Sequence, residues 1–232
     1  MSVGYQSIEV RAELLKLARL LGRAPDELAY LEAVGPAELR ALREQVTEAL
    51  FDSHLGALNR LASASRLLPV AVVAQMGEKV FGALLSARIT GLLDPDRAVE
   101  VAARLPDGFL ADVAVELDPR RASAMIARIP ADRIAAVTRE LLARGEFVTM
   151  GRFVGHLPDA SLQAAVEVSG PDDLLQVALV LENKDRLGHL LGLLGPERTD
   201  QILEAADRAG LGLEARELLE QAGRDDGSPR PG

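Results

Sequence analysis

Apolar positions recur at helical spacing along nearly the whole chain, and proline interrupts them at short, regular intervals. From Leu93 to Leu141 the pattern is written almost twice, as LDPDRAVEVAARLPDGFLADVAVEL and then DPRRASAMIARIPADRIAAVTREL. Asp94-Pro95 returns as Asp118-Pro119, Arg97 as Arg121, Arg104 as Arg128, and Leu105-Pro106 as Ile129-Pro130, all at one offset of 24 residues. A fixed period of this size marks a repeat architecture. Within one unit, Asp94 is an N-cap candidate and Pro95 takes the first helical position, where its missing N–H costs nothing. Ala98, Val101, Ala102 and Leu105 then form one apolar stripe. Pro106 stops that helix, Asp107 reads as the next cap, and Leu110, Val113, Ala114 and Leu117 form a second stripe.

Such a unit cannot stand alone. It buries about six sizeable apolar side chains at roughly 1.5–3 kcal/mol each, while ordering its backbone costs about 1–2 kcal/mol per residue. Neighbours must cover its open faces, and the sequence supplies them. Phe153, Val154, Leu157 and Pro158 take the places of Met125, Ile126, Ile129 and Pro130 at an offset of 28, with four extra residues near Leu142-Ala143-Arg144-Gly145. Further units open at Gly170-Pro171-Asp172 and Gly195-Pro196-Glu197, and a degenerate one at Leu68-Pro69. The expectation is an all-α fold of about fifteen helices, an α-solenoid of about six short helix pairs behind an N-terminal helical segment.

That segment starts with an amphipathic helix, Glu9 to Leu21, with Leu14, Leu15, Leu17, Ala18 and Leu21 on one side. Ala24-Pro25-Asp26 opens a short helix that ends at Gly35. Pro36 then opens a long one, from Ala37 to about Ser63. Its polar face of Glu38, Arg40, Arg43, Glu44 and Glu48 reads as solvated. The predicted organisation is 1–67 for the N-terminal helices, 68–221 for the repeats, and 222–232 for a disordered tail (GRDDGSPRPG from Gly223).

Composition narrows the partners. Hydrophobic residues make up 48% of the 232 positions and aromatics only 3%, so Ala, Leu and Val fill the core. A net charge of −9 argues against a nucleic-acid partner, since phosphate binding needs a cationic surface. The chain has no cysteine, hence no thiolate nucleophile and no Cys-based metal site. The opening MSVGYQSIEVRAEL lacks the pattern of a signal peptide. The longest apolar run, near Leu67 to Met76, is too short to span a bilayer. These features predict a soluble, cytoplasmic protein with no direct membrane insertion.

Candidate chemistry is sparse. Gly210-Leu211-Gly212-Leu213-Glu214-Ala215 has the letters of a dinucleotide fingerprint, but it follows a helix where the mechanism needs a strand. It reads as an inter-helix turn. His54, His156 and His189 form no HExxH or i, i+4 pair, and no serine sits in a G-x-S-x-G elbow. Asp94, Asp96, Asp118, Asp172 and Asp173 are carboxylates that Mg²⁺ could use, and they read more simply as caps and first-turn acids. No catalytic, cofactor or metal residue is assigned.

The repeated LDPxRAxxxxxxLP grammar over Leu68 to Gln221, carried by LDPDRAVEVAARLP, LDPRRASAMIARIP and FVTMGRFVGHLP, resembles the cytoplasmic N-terminal domain of MgtE-type magnesium transporters. It is also similar to the superhelical repeats of the flagellar motor switch protein FliG. In MgtE the domain precedes CBS domains and a pore, neither of which this chain contains, and none of that family's ion-sensing residues is placed here. The resemblance implies a right-handed superhelix used for contact with other proteins. High Arg over Lys, with abundant Ala and Gly, looks like high-GC bacterial coding.

The functional expectation is a non-enzymatic interaction module with a protein partner, self-association being one form this takes. The alternative is a regulator that binds a small ligand or Mg²⁺ in a groove of the superhelix. The candidate contact surface lies where the repeat breaks its rule, from Arg144 to Met150, where Phe147 stands in place of the proline. Phe153 maps onto Met125 and is assigned to packing. Phe147, with Met150, Arg152 and His156 nearby, supplies the aromatic, Met and Arg groups that anchor interfaces. Inward folding of Phe147 into space opened by the insertion is the competing reading.

Overall fold

The computed structural model describes residues 3–52, 55–181 and 187–217. Among them every regular element is helical and no strand is present. His54 and the tail 222–232 lie outside the described residues. The chain divides into two compact units, Met1–Thr47 with Ser169–Gly232, and Glu48–Val168.

The first unit holds α1 (Val3–Leu21), a 3₁₀ turn (Pro25–Leu31) and the start of α2 (Pro36–Asp52). Gly22, at φ 63°, ends α1 in the left-handed conformation that a Cβ disfavours. Val10, Leu14, Leu17, Ala18, Leu28 and Leu39 form its core. Leu15 and Leu21, expected on the buried side, are 41% and 43% exposed. The positions they would have taken inside go to Glu13 and Lys16, both buried.

The second unit contains α3 (Leu55–Ser65), α4 (Val70–Met76), a π turn (Gly77–Phe81) and α5 (Gly82–Thr90). There follow α6 (Pro95–Ala102), α7 (Asp107–Glu116), α8 (Ser123–Ile126), α9 (Ala131–Ala143), α10 (Phe147–Phe153) and α11 (Asp159–Glu167). Packing runs from each helix to the next but one: α3 on α5, α4 on α6, α5 on α7, α6 on α8, α7 on α9 and α9 on α11. Proline or the residue before it sets the helix starts. Pro69, Pro106, Pro130 and Pro158 are the N-caps of α4, α7, α9 and α11, and Pro95 is the first residue of α6.

The helix expected from Ala37 to about Ser63 is seen as α2 and α3, and residues 53–54 between them lie outside the described residues. Two sequence readings need correction here. Asp107 is the first residue of α7 and not its cap, and its carboxylate pairs with Arg133 at 2.6 Å. The apolar run does not stop at Met76. The stretch Val70–Thr90 is 21 residues long and, by length and composition, apolar enough to cross a membrane. Gly82, at φ 70° and ψ 178°, breaks it into two shorter pieces.

The repeated Asp-Pro pairs also differ. The Asp94 side chain accepts from the N–H groups of Asp96 and Arg97 and caps an eight-residue helix. Asp118 accepts from the N–H of Arg120 at 3.1 Å and from that guanidinium at 3.1–3.2 Å, so its carboxylate is tied into a turn. The helix after it starts only at Ser123 and runs four residues. Burial pushes the Asp118 carboxyl up, but Arg120, helped by Arg152, outweighs it and holds the group below its usual range.

The four inserted residues near Leu142 are a further turn of α9 and its cap. Gly145 sits at φ 68°, and the N–H groups of Gly145 and Glu146 return to the carbonyls of Leu142 and Leu141. Beyond the second unit, α12 (Pro171–Leu179), α13 (Leu187–Arg208, bent at Gly195) and α14 (212 to 217) complete the first unit. Leu175, Ala205, Ala206 and Ala215 form a second core there.

Candidate functional site

The densest polar site joins α1 to α2. Glu13 is 2% exposed, and Lys16, one helical turn along, donates to its Oε1 at 3.0 Å. From α2, Arg43 donates to Oε2 at 3.2 Å and Arg40 to Oε1 at 3.4 Å. Burial raises the Glu13 pKa, but Lys16, Arg43 and Arg40 together hold the carboxyl below its ordinary range. Arg43 is 7% exposed, so the reading of that face as solvated is corrected. A helix face looks solvated from its own sequence alone, and here the counter-charge comes from another helix 30 positions away. An anion ringed by fixed cations is a weaker base than a free carboxylate. Its work is to clamp two helices.

A second set of polar groups joins the repeats. Arg97 donates to the carbonyls of Ser65 and Leu68 just past α3. Arg133 donates to those of Ala102 and Leu105 at the end of α6. Arg152 donates to that of Leu117 at the end of α7, and Arg198 to that of Ser169 just past α11. These carbonyls lie at helix C-terminal ends, where a cation is electrostatically favoured. Carboxylates follow the same rule. Arg128 pairs with Asp96, Arg144 with Asp112 at 2.5 Å, and Arg208 with Asp172 at 3.3 Å. Each donor lies 28–36 residues after its acceptor.

Phe147, Met150, Arg152 and His156 are all half-buried. Phe147 opens α10 and packs near Gly145, its ring 3.8 Å from where a Cβ on that glycine would stand. Met150 follows at i+3, on the same side of the helix. Arg152 is turned elsewhere and engages the Leu117 carbonyl at 2.8 Å. His156 closes the short 3₁₀ turn after α10. Two of the four candidates are therefore brought together, and one is engaged inside the array.

Comparison with protein-family models, with curated proteins and with solved structures finds no match. The site must be read from its own geometry.

The acids weighed as Mg²⁺ ligands are dispersed. Asp94 caps α6, Asp96 meets Arg128, Asp118 meets Arg120, Asp172 meets Arg208, and Asp173 accepts from the N–H of Gly170 at 3.0 Å. Among the described residues no group of three or more His, Asp or Glu is placed to hold a metal. At the Gly210–Gly212 turn, a Cβ on Gly212 would lie 1.9 Å from the Asp207 carboxylate, which accepts from Arg216 at 2.8 Å. An acid of the chain itself fills the space that a pyrophosphate would need.

Proposed function

We propose that the chain is a non-enzymatic, cytoplasmic interaction module of bacterial type. Its 48–168 unit is read as a right-handed superhelical stack similar to the N-terminal domain of MgtE-type transporters. The observation that carries this reading is the use made of its ionic side chains. Arginines and acids that could supply charge to a reaction are spent, unit by unit, on closing helix ends and joining neighbours. What such an array presents to the outside is shape and apolar surface, which is how stacked helical pairs engage partners. Phe147 and Met150 are the proposed protein contact, while Arg152 supports it from beneath.

The test is capture of a protein partner from bacterial lysate by the intact chain, compared with its Phe147→Ala and Met150→Ala variants. The reading requires a saturable partner that both variants lose while their melting temperatures stay within a few degrees of the parent's. A rise in melting temperature on adding Mg²⁺ or a metabolite, with no partner captured, would replace it with the ligand-binding regulator.

A further inference from the structure

Among the described residues the second unit exposes its large apolar side chains within one stretch of the chain. Leu61, Leu67, Leu68, Val72, Val80 and Leu84 are 36–87% exposed, and every other exposed large hydrophobic group among the described residues lies in the first unit. The six span the end of α3, the turn before α4, the π turn and the start of α5. Only 11% of the most apolar 18-residue window of Val70–Thr90 is buried, although its composition would suit the inside of a bilayer. A patch of this kind marks a binding surface.

Charge identifies what covers it. Residues 55–93 contain Arg60, Arg66, Lys79 and Arg88 against the single acid Glu78, a local charge of +3 in a chain of −9. The rest of the molecule therefore holds 22 Lys and Arg against 34 Asp and Glu, or −12. Lys79 meets Glu78 at 2.8 Å. Arg60, Arg66 and Arg88 have no ion-pair partner among the described residues, unlike the arginines that join the repeats. In sequence the cations alternate with the exposed apolar groups, Arg60 before Leu61, Arg66 before Leu67 and Lys79 before Val80.

We infer that this face docks on an anionic lipid surface. Aliphatic side chains enter the acyl boundary, and the neighbouring cations remain at the headgroups, where long basic side chains reach the polar layer. The anionic cytoplasmic leaflet supplies the complementary charge. The same leaflet repels the −12 remainder, so the molecule approaches with this face forward. The patch has no exposed aromatic group, and Phe81 packs against the Leu58, Ala62 and Ile89 core. It thus lacks the aromatic anchors that dominate protein interfaces. Gly82 keeps the stretch in two short pieces, which suits lying on a bilayer rather than crossing it.

The experiment is flotation of the full chain with large unilamellar vesicles, either pure phosphatidylcholine or phosphatidylcholine with 30% phosphatidylglycerol (about 30 mol%, enough to set a negative surface potential). Binding to the anionic vesicles, weakened by salt, is expected, with little or none to the neutral ones. Leu67→Asp and Val80→Asp should each lower partitioning about tenfold or more. Arg66→Ala should lower it roughly fivefold. Leu213→Asp, at an exposed apolar position of the first unit, should leave it unchanged. Leu67 is 87% exposed and Val80 72%, so both variants should melt like the parent. Failure to float with anionic vesicles, or equal binding to both kinds, overturns the inference. So does a concentration-dependent dimer in light scattering that Leu67→Asp abolishes, which would give the face to a second copy.

Discussion

Arg43 on α2 donates from Nε to the Oε2 of Glu13 on α1 at 3.2 Å, and both side chains are almost fully removed from solvent. Lys16 shares the same carboxylate at 3.0 Å. Two buried cations thus depend on one anion. Breaking a buried pair by removing one partner costs about 3–5 kcal/mol. Lys16 and Arg43 have further interactions, so Glu13→Gln should lie near the low end, a loss of about 3 kcal/mol in urea unfolding. A variant as stable as the parent would show that the cluster contributes nothing net.

Acid should weaken the protein by the same route. Glu13 and Asp118 both have carboxyls held below their ordinary range in the folded state. The unfolded chain, with carboxyl pKa values near about 4, takes up protons first as the pH falls. The contribution of these two groups is complete above that value and is lost as the pH drops toward their folded pKa values. Urea midpoints should therefore fall between pH 5 and pH 3, and fall less steeply in Glu13→Gln. A midpoint that rises over that interval would contradict the assignment.

Arg133 supplies the test of the helix-closing arginines. It donates to two carbonyls at the end of α6 and pairs with Asp107 at 2.6 Å. Hydrogen bonds from a charged donor contribute about 1.5–3 kcal/mol, so Arg133→Met should lose about that much. Arg139→Met, at an exposed position of the same helix, should stay within about 0.5 kcal/mol of the parent. Equal effects of the two would reduce the bridges to surface contacts.

The core of the array rests on Ile126, which is 1% exposed. Ile126→Ala should cost about 2–5 kcal/mol. Ile134 on α9 is only half-buried and should cost less on the same substitution. Calorimetry on the two variants checks the order.

How much of this was readable from the sequence depends on the range of the interaction. Proline placement is local, and Pro36, Pro69, Pro95, Pro106, Pro130, Pro158 and Pro171 each stand at a helix start as expected. The stripes were legible for the same reason: Ala98, Ala102, Leu105, Val113, Ala114 and Leu117 are buried. What the sequence hid was polar and distant. Glu13 and Lys16 occupy the buried side of α1 because Arg40 and Arg43 lie against them, and nothing in the local pattern of α1 reports that. The repeat alignment equated Arg97 with Arg121; Arg97 closes α3, and Arg121 lies against Gly91 just past α5 and 3.8 Å from Asp118. Arg133, which the 24-residue offset pairs with Phe109, closes α6. Of the candidate contact surface, the insertion was visible as a broken period, but the engagement of Arg152 with Leu117 was not.

The bridges between repeats all point one way. Among these bridges of the described residues the arginine comes later in the chain than the group it meets, by 26 to 36 residues. A chain made from its N-terminus therefore emerges from the ribosome with each helix end still open, and the residue that closes it arrives only after another whole repeat has been added. At synthesis rates of about 5–20 residues per second, that delay is roughly one to seven seconds per closure. Each of these helix ends is closed one step behind the growing chain.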